Sequence, residues 1–213
     1  MINKFFLSLV ISILPFSSVR KYFYNKTLSY LIDKNTYLGF LVILQSENCN
    51  ISNSKIKPFN VIKSRKIRIT NSNIDKFNRI INLDCLSLYG CMFGTYNKVY
   101  GKKLINTKSK LSIDQNSIVE NYNFFDLNDQ IIIKKNCKII SHCNFWTHGF
   151  DGSRTIMIKG PIEILESVVI ESCVTIISSI VIQKKSVVKF GSIVHKNLLE
   201  TGVYSSNEIF KKI

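Results

Sequence analysis

Residues Ile164–His195 decide the fold, and in blocks of six they read ILESVV, IESCVT, IISSIV, IQKKSV, VKFGSI and VH. Every block opens with an aliphatic residue: Ile164, Ile170, Ile176, Ile182, Val188 and Val194. An α-helix returns residues to one face every three or four positions, and a half-buried strand does so every two. A strict period of six therefore argues against both a helix and a plain strand.

This period is typical of a left-handed parallel β-helix, in which each block of six forms one side and one corner of a triangular coil. The aliphatic residue points inward, and the position four residues later shares the narrow interior. That position needs a slim side chain, and it holds Val168, Val174, Ile180, Ser186 and Ser192. We predict an all-β fold, a left-handed parallel β-helix with a short N-terminal helical cap. One long apolar strand or a buried helix is the alternative, although strands rarely exceed about ten residues.

An internal repeat extends the pattern toward the N-terminus. Ile51–Ile62 matches Ile69–Ile80 at a spacing of eighteen residues, which is one full coil. Leu88–Val99 and Ile113–Phe124 are further copies, separated by an insertion near residues 99–110. Each of the four copies carries Phe-Asn or Tyr-Asn at the same place, apart from small shifts in spacing. The shared position predicts that aromatic rings and amides stack at one corner of successive coils. We expect roughly seven coils, each rising about 4.8 Å.

The chain divides into a capping segment at 1–37, the β-helix at 38–200 and a tail at 201–213. The first segment begins with a short apolar run and becomes basic and aromatic at Arg20–Tyr24. We interpret it as one or two helices that close the open end of the coil, with peripheral membrane contact as a secondary role. A cleaved signal peptide is the alternative, but no clear cleavage site is present.

Charge restricts the classes of partner. Lysine and arginine number 29 against 14 acidic residues, a formal net charge of +15 over 213 residues. Such an excess favours an anionic partner: a phosphorylated cofactor, an acidic polysaccharide, an anionic membrane or a nucleic acid. The basic residues are scattered and accompany no nucleic-acid-reading motif, so we do not expect nucleic acid as a partner.

The 6 cysteines show no Cys-x-x-Cys pair and no zinc-ligand spacing, so no metal is expected. Cys137 and Cys143 fall on the slim inward position of the blocks that begin at Ile133 and Ile139. They are therefore predicted to be reduced packing residues. Reduced cysteines favour a cytoplasmic location. If the cap contacts the membrane, we expect the protein at the inner face of that membrane.

The regular wall is interrupted between Phe145 and Ile162 by a polar segment that begins Trp-Thr-His-Gly-Phe-Asp-Gly-Ser-Arg at residues 146–154. A loop that projects from a rigid scaffold is a common place for chemistry. The chain has 3 histidines, and His148 is the one on this loop. A surface histidine without a role is the alternative interpretation.

These residues carry a resemblance. The segment 146–151, the Gly-Pro-Ile-Glu-Ile that follows at 160–164, the regular blocks and the tail resemble the hexapeptide-repeat acyltransferases. The closest branch is the O-acetyltransferases of surface polysaccharide biosynthesis, and the likeness is strongest over residues 113–213. The resemblance implies a left-handed β-helix, a homotrimer, acetyl-CoA as acyl donor and a sugar or polysaccharide acceptor. It places the catalytic histidine on His148.

The resemblance also assigns contacts with the donor. The implied positions are Ser172, Gly191, Lys196, Lys211 and Lys212. The family's Gly-Asn-Pro near the C-terminus is Ser-Asn-Glu at residues 206–208, so only the asparagine is kept.

The expected chemistry is direct acyl transfer. A sugar hydroxyl is a poor nucleophile at neutral pH, and histidine is suited to remove its proton as it attacks a thioester. We expect His148 to be that base, with Asp151 orienting its ring because both lie on one loop; Glu120 or a backbone carbonyl are alternatives. Trp146 and Asn144 are candidate sugar contacts, although Trp146 could equally pack at a trimer seam.

Two other function classes compete with the acyltransferase. A β-helix carbonic anhydrase would need three histidines on one zinc ion, and His142, His148 and His195 lack that clustering in the sequence. A binding or structural solenoid that kept the fold but not the chemistry is the stronger rival. Binding of acetyl-CoA separates this solenoid from the enzyme.

Overall fold

The computed structural model describes residues 4–101, 109–150, 157–206 and 209–212. Their elements are, in chain order, α1 Lys4–Ser12, α2 Ser17–Leu28, β1 Leu31–Ile32, β2 Tyr37–Leu38, β3 Ile43–Gln45, β4 Asn48–Ser52, β5 Lys55–Ile56, β6 Val61–Thr70, β7 Asn73–Ile74, β8 Arg79–Tyr89, β9 Met92–Phe93, β10 Lys98–Gly101, β11 Lys110–Ile113, β12 Ile118–Val119, β13 Phe124–Leu127, β14 Ile131–Ile133, β15 Lys138–Ile139, β16 Asn144–Trp146, β17 His148–Phe150, β18 Met157–Lys159, β19 Ile162–Ile164, β20 Val169–Ile170, β21 Thr175–Ile176, β22 Ile180–Ile182, β23 Val187–Val188, β24 Ile193–Val194, β25 Gly202–Tyr204 and β26 Ile209–Lys212.

The strands stack in parallel on three faces, which the chain visits in turn. The first face holds β1, β4, the C-terminal parts of β6 and β8, then β11, β14, β19 and β22. The second face runs from β2 through β5, β7, β9, β12, β15, β20 and β23 to β25. The third face holds β3, the N-terminal parts of β6 and β8, then β10, β13, β16, β21 and β24. The parallel β-helix with an N-terminal helical cap is confirmed.

The coil has about eight turns, one more than the repeat predicts. The additional turn begins at β1, which lies inside the segment assigned to the cap. This strand pairs in parallel with β4 of the next turn. The division at residue 37 stays a prediction of domain organisation.

The interior follows the period of six. The aliphatic residues that open the blocks from Ile164 to Val194 are buried, and so are the slim residues between them. Cys137 and Cys143 are buried and free, as predicted, and burial raises the pKa of each thiol to about 11. The core is one continuous, mainly aliphatic column along the axis of the coil, with Phe93, Phe125 and Phe145 buried inside it.

The corner between the second and third faces carries a stack of aromatic rings. Phe59, Phe77, Tyr96, Tyr122 and His142 all have positive φ and follow one another at the same corner of successive coils. Neighbouring ring centroids lie 4.9–5.1 Å apart with nearly parallel planes. This spacing matches the rise of one coil, so the stack follows from the repeat.

A ladder of buried asparagines lies beside the aromatic stack. The backbone N–H of Asn78 donates to Oδ1 of Asn60 at 2.9 Å, and the backbone N–H of Asn97 donates to Oδ1 of Asn78 at 2.8 Å. Asn123 and Cys143 continue the ladder with their own N–H groups. The asparagines satisfy backbone donors at a corner where strand pairing stops, which explains the repeated Phe-Asn and Tyr-Asn.

The cap closes the first coil with polar side chains. The N–H of Leu44 donates to Oγ of Ser8 at 3.0 Å, and the N–H of Leu38 donates to Oγ of Ser17 at 2.8 Å. Arg20 donates through Nη2 to the carbonyl of Leu38 at 2.7 Å. These bonds occupy the unpaired edge of the coil, which would otherwise be open to another strand. Among the described residues, no helix combines the length and apolarity needed to cross a bilayer.

Candidate active site

A β-hairpin leaves the wall between the third face and the first face of the next coil. The chain departs at Thr147 and returns at Gly160, whose N–H donates to the carbonyl of Thr147 at 3.0 Å. β17 and β18 pair antiparallel, which sets His148 opposite Lys159. The sequence predicted a loop here, whereas His148 lies on a strand. Its backbone is therefore held at the foot of the hairpin by ladder hydrogen bonds.

Thr147 fixes this foot to the coil before it. Its side chain is fully buried, and Oγ1 accepts from the N–H groups of Asn128 at 2.6 Å and Asp129 at 2.9 Å. The same oxygen donates to the carbonyl of Asp126 at 3.1 Å. The residue immediately before His148 is therefore tied to the corner that also carries Asp126.

The return strand passes very close to the next coil at Gly160. A Cβ atom built there would lie 1.9 Å from Oγ of Ser179. Only glycine allows this approach without displacement of a neighbour. The hairpin thus has two fixed points, Thr147 on its outgoing side and Gly160 on its return side.

His148 lies beside the carboxylate of Asp126. Nδ1 of His148 is 3.9 Å from Oδ1 of Asp126, and the side chains are 21% and 26% exposed. This distance is too long for a hydrogen bond, and Nδ1 is buried with no hydrogen-bond partner within the described residues. The interaction is therefore an electrostatic contact in a partly water-excluded position.

Aromatic rings line the wall next to His148. The Trp146 ring meets the His148 ring edge to face with centroids 6.2 Å apart, and it lies 5.1 Å from the Phe124 ring. Tyr100 continues this wall one coil back, with its centroid 5.9 Å from that of Phe124, and the Arg79 guanidinium lies over Tyr100. The site therefore combines an imidazole, a carboxylate and an apolar platform.

The structure brings some of the predicted site residues together. Trp146 and Asn144 lie on β16 two residues apart, so their side chains share the outward side of the third face, and His148 follows two residues after Trp146. Asp151 lies outside the described residues, so its predicted role stays a prediction. The other predicted carboxylate, Glu120, instead forms an ion pair with Lys138 at 3.4 Å.

Sequence reasoning missed Asp126. It pairs in register with Trp146 across adjacent coils, although it precedes Trp146 by twenty residues. Extending the internal repeat by one strand beyond Phe124 would have placed these two residues side by side. Lys159 was missed as well, because its position opposite His148 depends on the hairpin register.

The predicted donor contacts fall on three parts of the coil. Gly191 is stacked on Ser172 at the corner between the second and third faces, where its N–H donates to the Ser172 carbonyl at 3.1 Å. Lys196 lies on the corner that carries His148, two coils further along. Lys211 and Lys212 lie on β26, which pairs antiparallel with β25 at the end of the second face.

A cavity of about 440 Å³ opens at the C-terminal end of the coil. Lys196, His195, Leu199 and Tyr204 line it. The remaining histidine, His142, ends the aromatic stack at a different corner. The described histidines therefore do not converge, and in that part of the chain no three His, Cys, Asp or Glu residues cluster as metal ligands would. The carbonic anhydrase alternative has no geometric support there.

No protein-family model and no curated protein matches the chain. The solved structures to which it is similar are hexapeptide-repeat acetyltransferases. The polysialic acid O-acetyltransferase OatWY is 15% identical, over 86% of this chain and 84% of that one, with a TM-score of 0.47. VCA0836 of Vibrio cholerae O1 biovar eltor, in complex with acetyl-CoA, is 18% identical over 98% and 84%, with a TM-score of 0.37. The polySia-specific acetyltransferase NeuO is 15% identical over 86% and 80%, with a TM-score of 0.38.

Proposed function

We propose that the protein is an acyltransferase that moves an acetyl group from acetyl-CoA to a sugar hydroxyl in surface polysaccharide biosynthesis. The observation that carries the proposal is the partly buried His148, with Asp126 at 3.9 Å and the Trp146 ring at its edge. A base, a carboxylate beside its ring and an aromatic surface for a sugar are parts that general-base attack by a sugar hydroxyl can use.

In the reaction, Nε2 of His148 accepts the proton of the acceptor hydroxyl as the hydroxyl oxygen bonds to the thioester carbonyl carbon. Asp126 faces Nδ1, so it favours the tautomer with the proton on Nδ1 and stabilises the imidazolium as it forms. The carbon–sulfur bond then breaks, and the imidazolium returns the proton to the thiolate of coenzyme A. The described cysteines need take no part in this direct transfer.

The donor fits a strip on the outer side of the third face. Ile177 and Ile193 are exposed apolar residues on this strip, beyond the coil of His148. Lys196 lies two coils from His148, roughly 10 Å along the axis, where it would meet phosphate groups. Gly191, with φ 68 and open space around its Cβ position, leaves room at the opposite edge of the strip. Ser172 lies below Gly191. We also propose that Lys211 and Lys212 contact the phosphate groups of the donor.

The acceptor is expected against the aromatic wall. The apolar side of a sugar ring packs on indole and phenyl rings, and Trp146 and Phe124 provide such a surface beside His148. Asn144 shares this face and offers an amide to sugar hydroxyls. Lys159, opposite His148 on the hairpin, adds a positive charge that suits an acidic sugar.

A homotrimer is the assembly we propose, because apolar side chains are exposed on and beside the third face. Exposed Ile177 and Ile193 would be covered by a neighbouring copy, which would supply the second wall of the donor groove. Sedimentation velocity at micromolar concentration tests it. A monomer at every concentration would contradict the shared groove.

The proposed function is tested by His148→Ala. Loss of a general base should reduce acyl transfer by about a hundredfold to ten-thousandfold. Thiol release from acetyl-CoA is measured with a panel of oligosaccharide acceptors, and mass spectrometry of the product locates the acetyl group. His142→Ala is the matched control, because His142 lies on another corner and should leave most activity intact.

Near-normal turnover by His148→Ala would refute the assignment. Thermal unfolding of both variants separates a chemical effect from a folding defect. The rival, a binding solenoid without catalysis, predicts no transfer by the wild type with any acceptor. Calorimetric titration with acetyl-CoA then shows whether the donor binds at all.

A further inference from the structure

The first helix, α1, is apolar on both of its sides: Ile11 is buried in the core with Leu7 packed against it, yet other apolar residues face away from the coil. Its buried residues are Ser8, Ile11 and Ser12. Phe6 and Val10 are exposed at positions i and i+4 on the other side of α1, and Ile13, which directly follows the helix, is exposed as well; together the three form an apolar stripe. A helix that packs on a soluble domain normally buries its apolar stripe and exposes its polar side.

The hydrogen bonds of the first coil explain the inward side. The serines of α1 are buried because the coil edge needs partners: Oγ of Ser8 accepts from the N–H of Leu44, and the carbonyl of Ser12 accepts from the N–H of Leu41 at 2.9 Å. Nothing in these contacts explains the outward side. If contact with the coil were the only role of α1, a polar residue at position 6 would serve as well as Phe6.

The turn after α1 also exposes an apolar side chain. Phe16 has φ 61, a backbone conformation that is strained for a bulky residue and costless for glycine. Together with the stripe it gives four apolar side chains that are between 40% and 74% exposed. A patch of this kind on a soluble protein marks an interaction surface.

Charge selects the partner. No acidic residue precedes Asp33, while Lys4, Arg20, Lys21 and Lys26 are basic. Two copies of the cap would bring like charges together, so a second copy of this chain is disfavoured. An anionic lipid surface offers both an acyl layer for the apolar stripe and a negative potential for the lysines.

We propose that the N-terminal cap binds the surface of an anionic membrane, with α1 lying in the interface and its stripe of Phe6, Val10 and Ile13 turned toward the acyl chains. A helix of 9 residues is about 14 Å long, too short to cross a hydrocarbon core of about 30 Å. Peripheral binding of this kind would keep the site on the coil near a lipid-attached acceptor, yet it does not depend on the proposed function.

Vesicle flotation of the full chain tests the proposal. The protein is mixed with vesicles of phosphatidylcholine alone or with about one third phosphatidylglycerol. We expect it to float with the anionic vesicles only, and the bound fraction to fall as NaCl is raised. The triple variant Phe6→Gln, Val10→Gln and Ile13→Gln should weaken binding by at least about tenfold, since the apolar stripe supplies the insertion.

A matched variant at the opposite end of the coil controls for loss of exposed apolar area. Phe190→Gln with Leu199→Gln removes two side chains that are 64–69% exposed and lie outside the proposed trimer contact, and this variant should bind vesicles as the wild type does. Lys21→Gln with Lys26→Gln keeps the stripe and should lose the preference for anionic lipid. Thermal unfolding checks that each variant is folded.

Three outcomes would overturn the proposal. They are an absence of flotation with either vesicle, equal flotation of the cap variant and the wild type, and cap-dependent self-association in place of lipid binding. The last would identify a second copy as the occupant.

Discussion

Asp126→Asn is the sharpest test of how the site works, because it removes a charge and keeps the shape of the side chain. At about 4 Å, two unit charges attract by about 1 kcal/mol in water and about 4 kcal/mol at an effective dielectric constant of 20. The contact between His148 and Asp126 is 3.9 Å long and partly exposed, so we take about 1–2 kcal/mol for the stabilisation of the imidazolium in the transition state. The turnover number should fall by about fivefold to thirtyfold.

The KM values for both substrates should change little, because the charge matters when the proton moves and not when the substrates bind. Steady-state kinetics of thiol release measure both parameters. Asp129→Asn is the matched control: it lies on the same corner, but its Oδ1 accepts from the N–H of Gln130 at 2.8 Å and it should retain full activity. An unchanged turnover number in Asp126→Asn, or an equal loss in the control, would refute the electrostatic role of Asp126.

Other predictions concern stability and reactivity. Asn97→Ala leaves the buried N–H of Asn123 without its acceptor and should lower the free energy of unfolding by about 1–3 kcal/mol in urea titration, whereas an unchanged midpoint would argue against the ladder. Glu171 has a lowered pKa, chiefly through the hydrogen bond from Lys189, so its stabilising contribution is present above the ordinary carboxyl pKa and lost as pH falls through the lowered value. Glu171→Gln should therefore flatten the acid side of the stability profile. Cys173 is exposed and should react with a thiol reagent at pH 8 in the native protein. Burial raises the pKa of four other thiols to about 11–12, and these should react only after unfolding: Cys49, Cys91, Cys137 and Cys143.

Much of the fold was predictable because a β-helix is a repeating structure. Each coil contacts only its neighbours, so the same position recurs along the chain and the period of six is visible without any tertiary information. The corner of Phe59 and Asn60 was predictable in the same way, since equal spacing places equal residues in one stack. The number of coils was less accessible, because the turn that begins at β1 carries no such repeat.

The candidate site was only half visible. His148 and Trp146 stand together in the sequence, at the one place where the regular blocks near the C-terminus are interrupted. Asp126 became visible only when two coils were stacked, because strand pairing brings it beside Trp146. Lys159 needed the antiparallel register of the hairpin, which the sequence pattern did not indicate.

The sequence by itself determined the period, and with it the parallel coil, the buried aliphatic column and the stacked corners, because those features depend on spacing along the chain. Only the tertiary structure brought Asp126 beside His148 and showed which side of α1 faces water. Both depend on contacts between segments that no local pattern links: Asp126 approaches through the stacking of coils, and Ser8 turns inward because the first coil has an N–H group to satisfy.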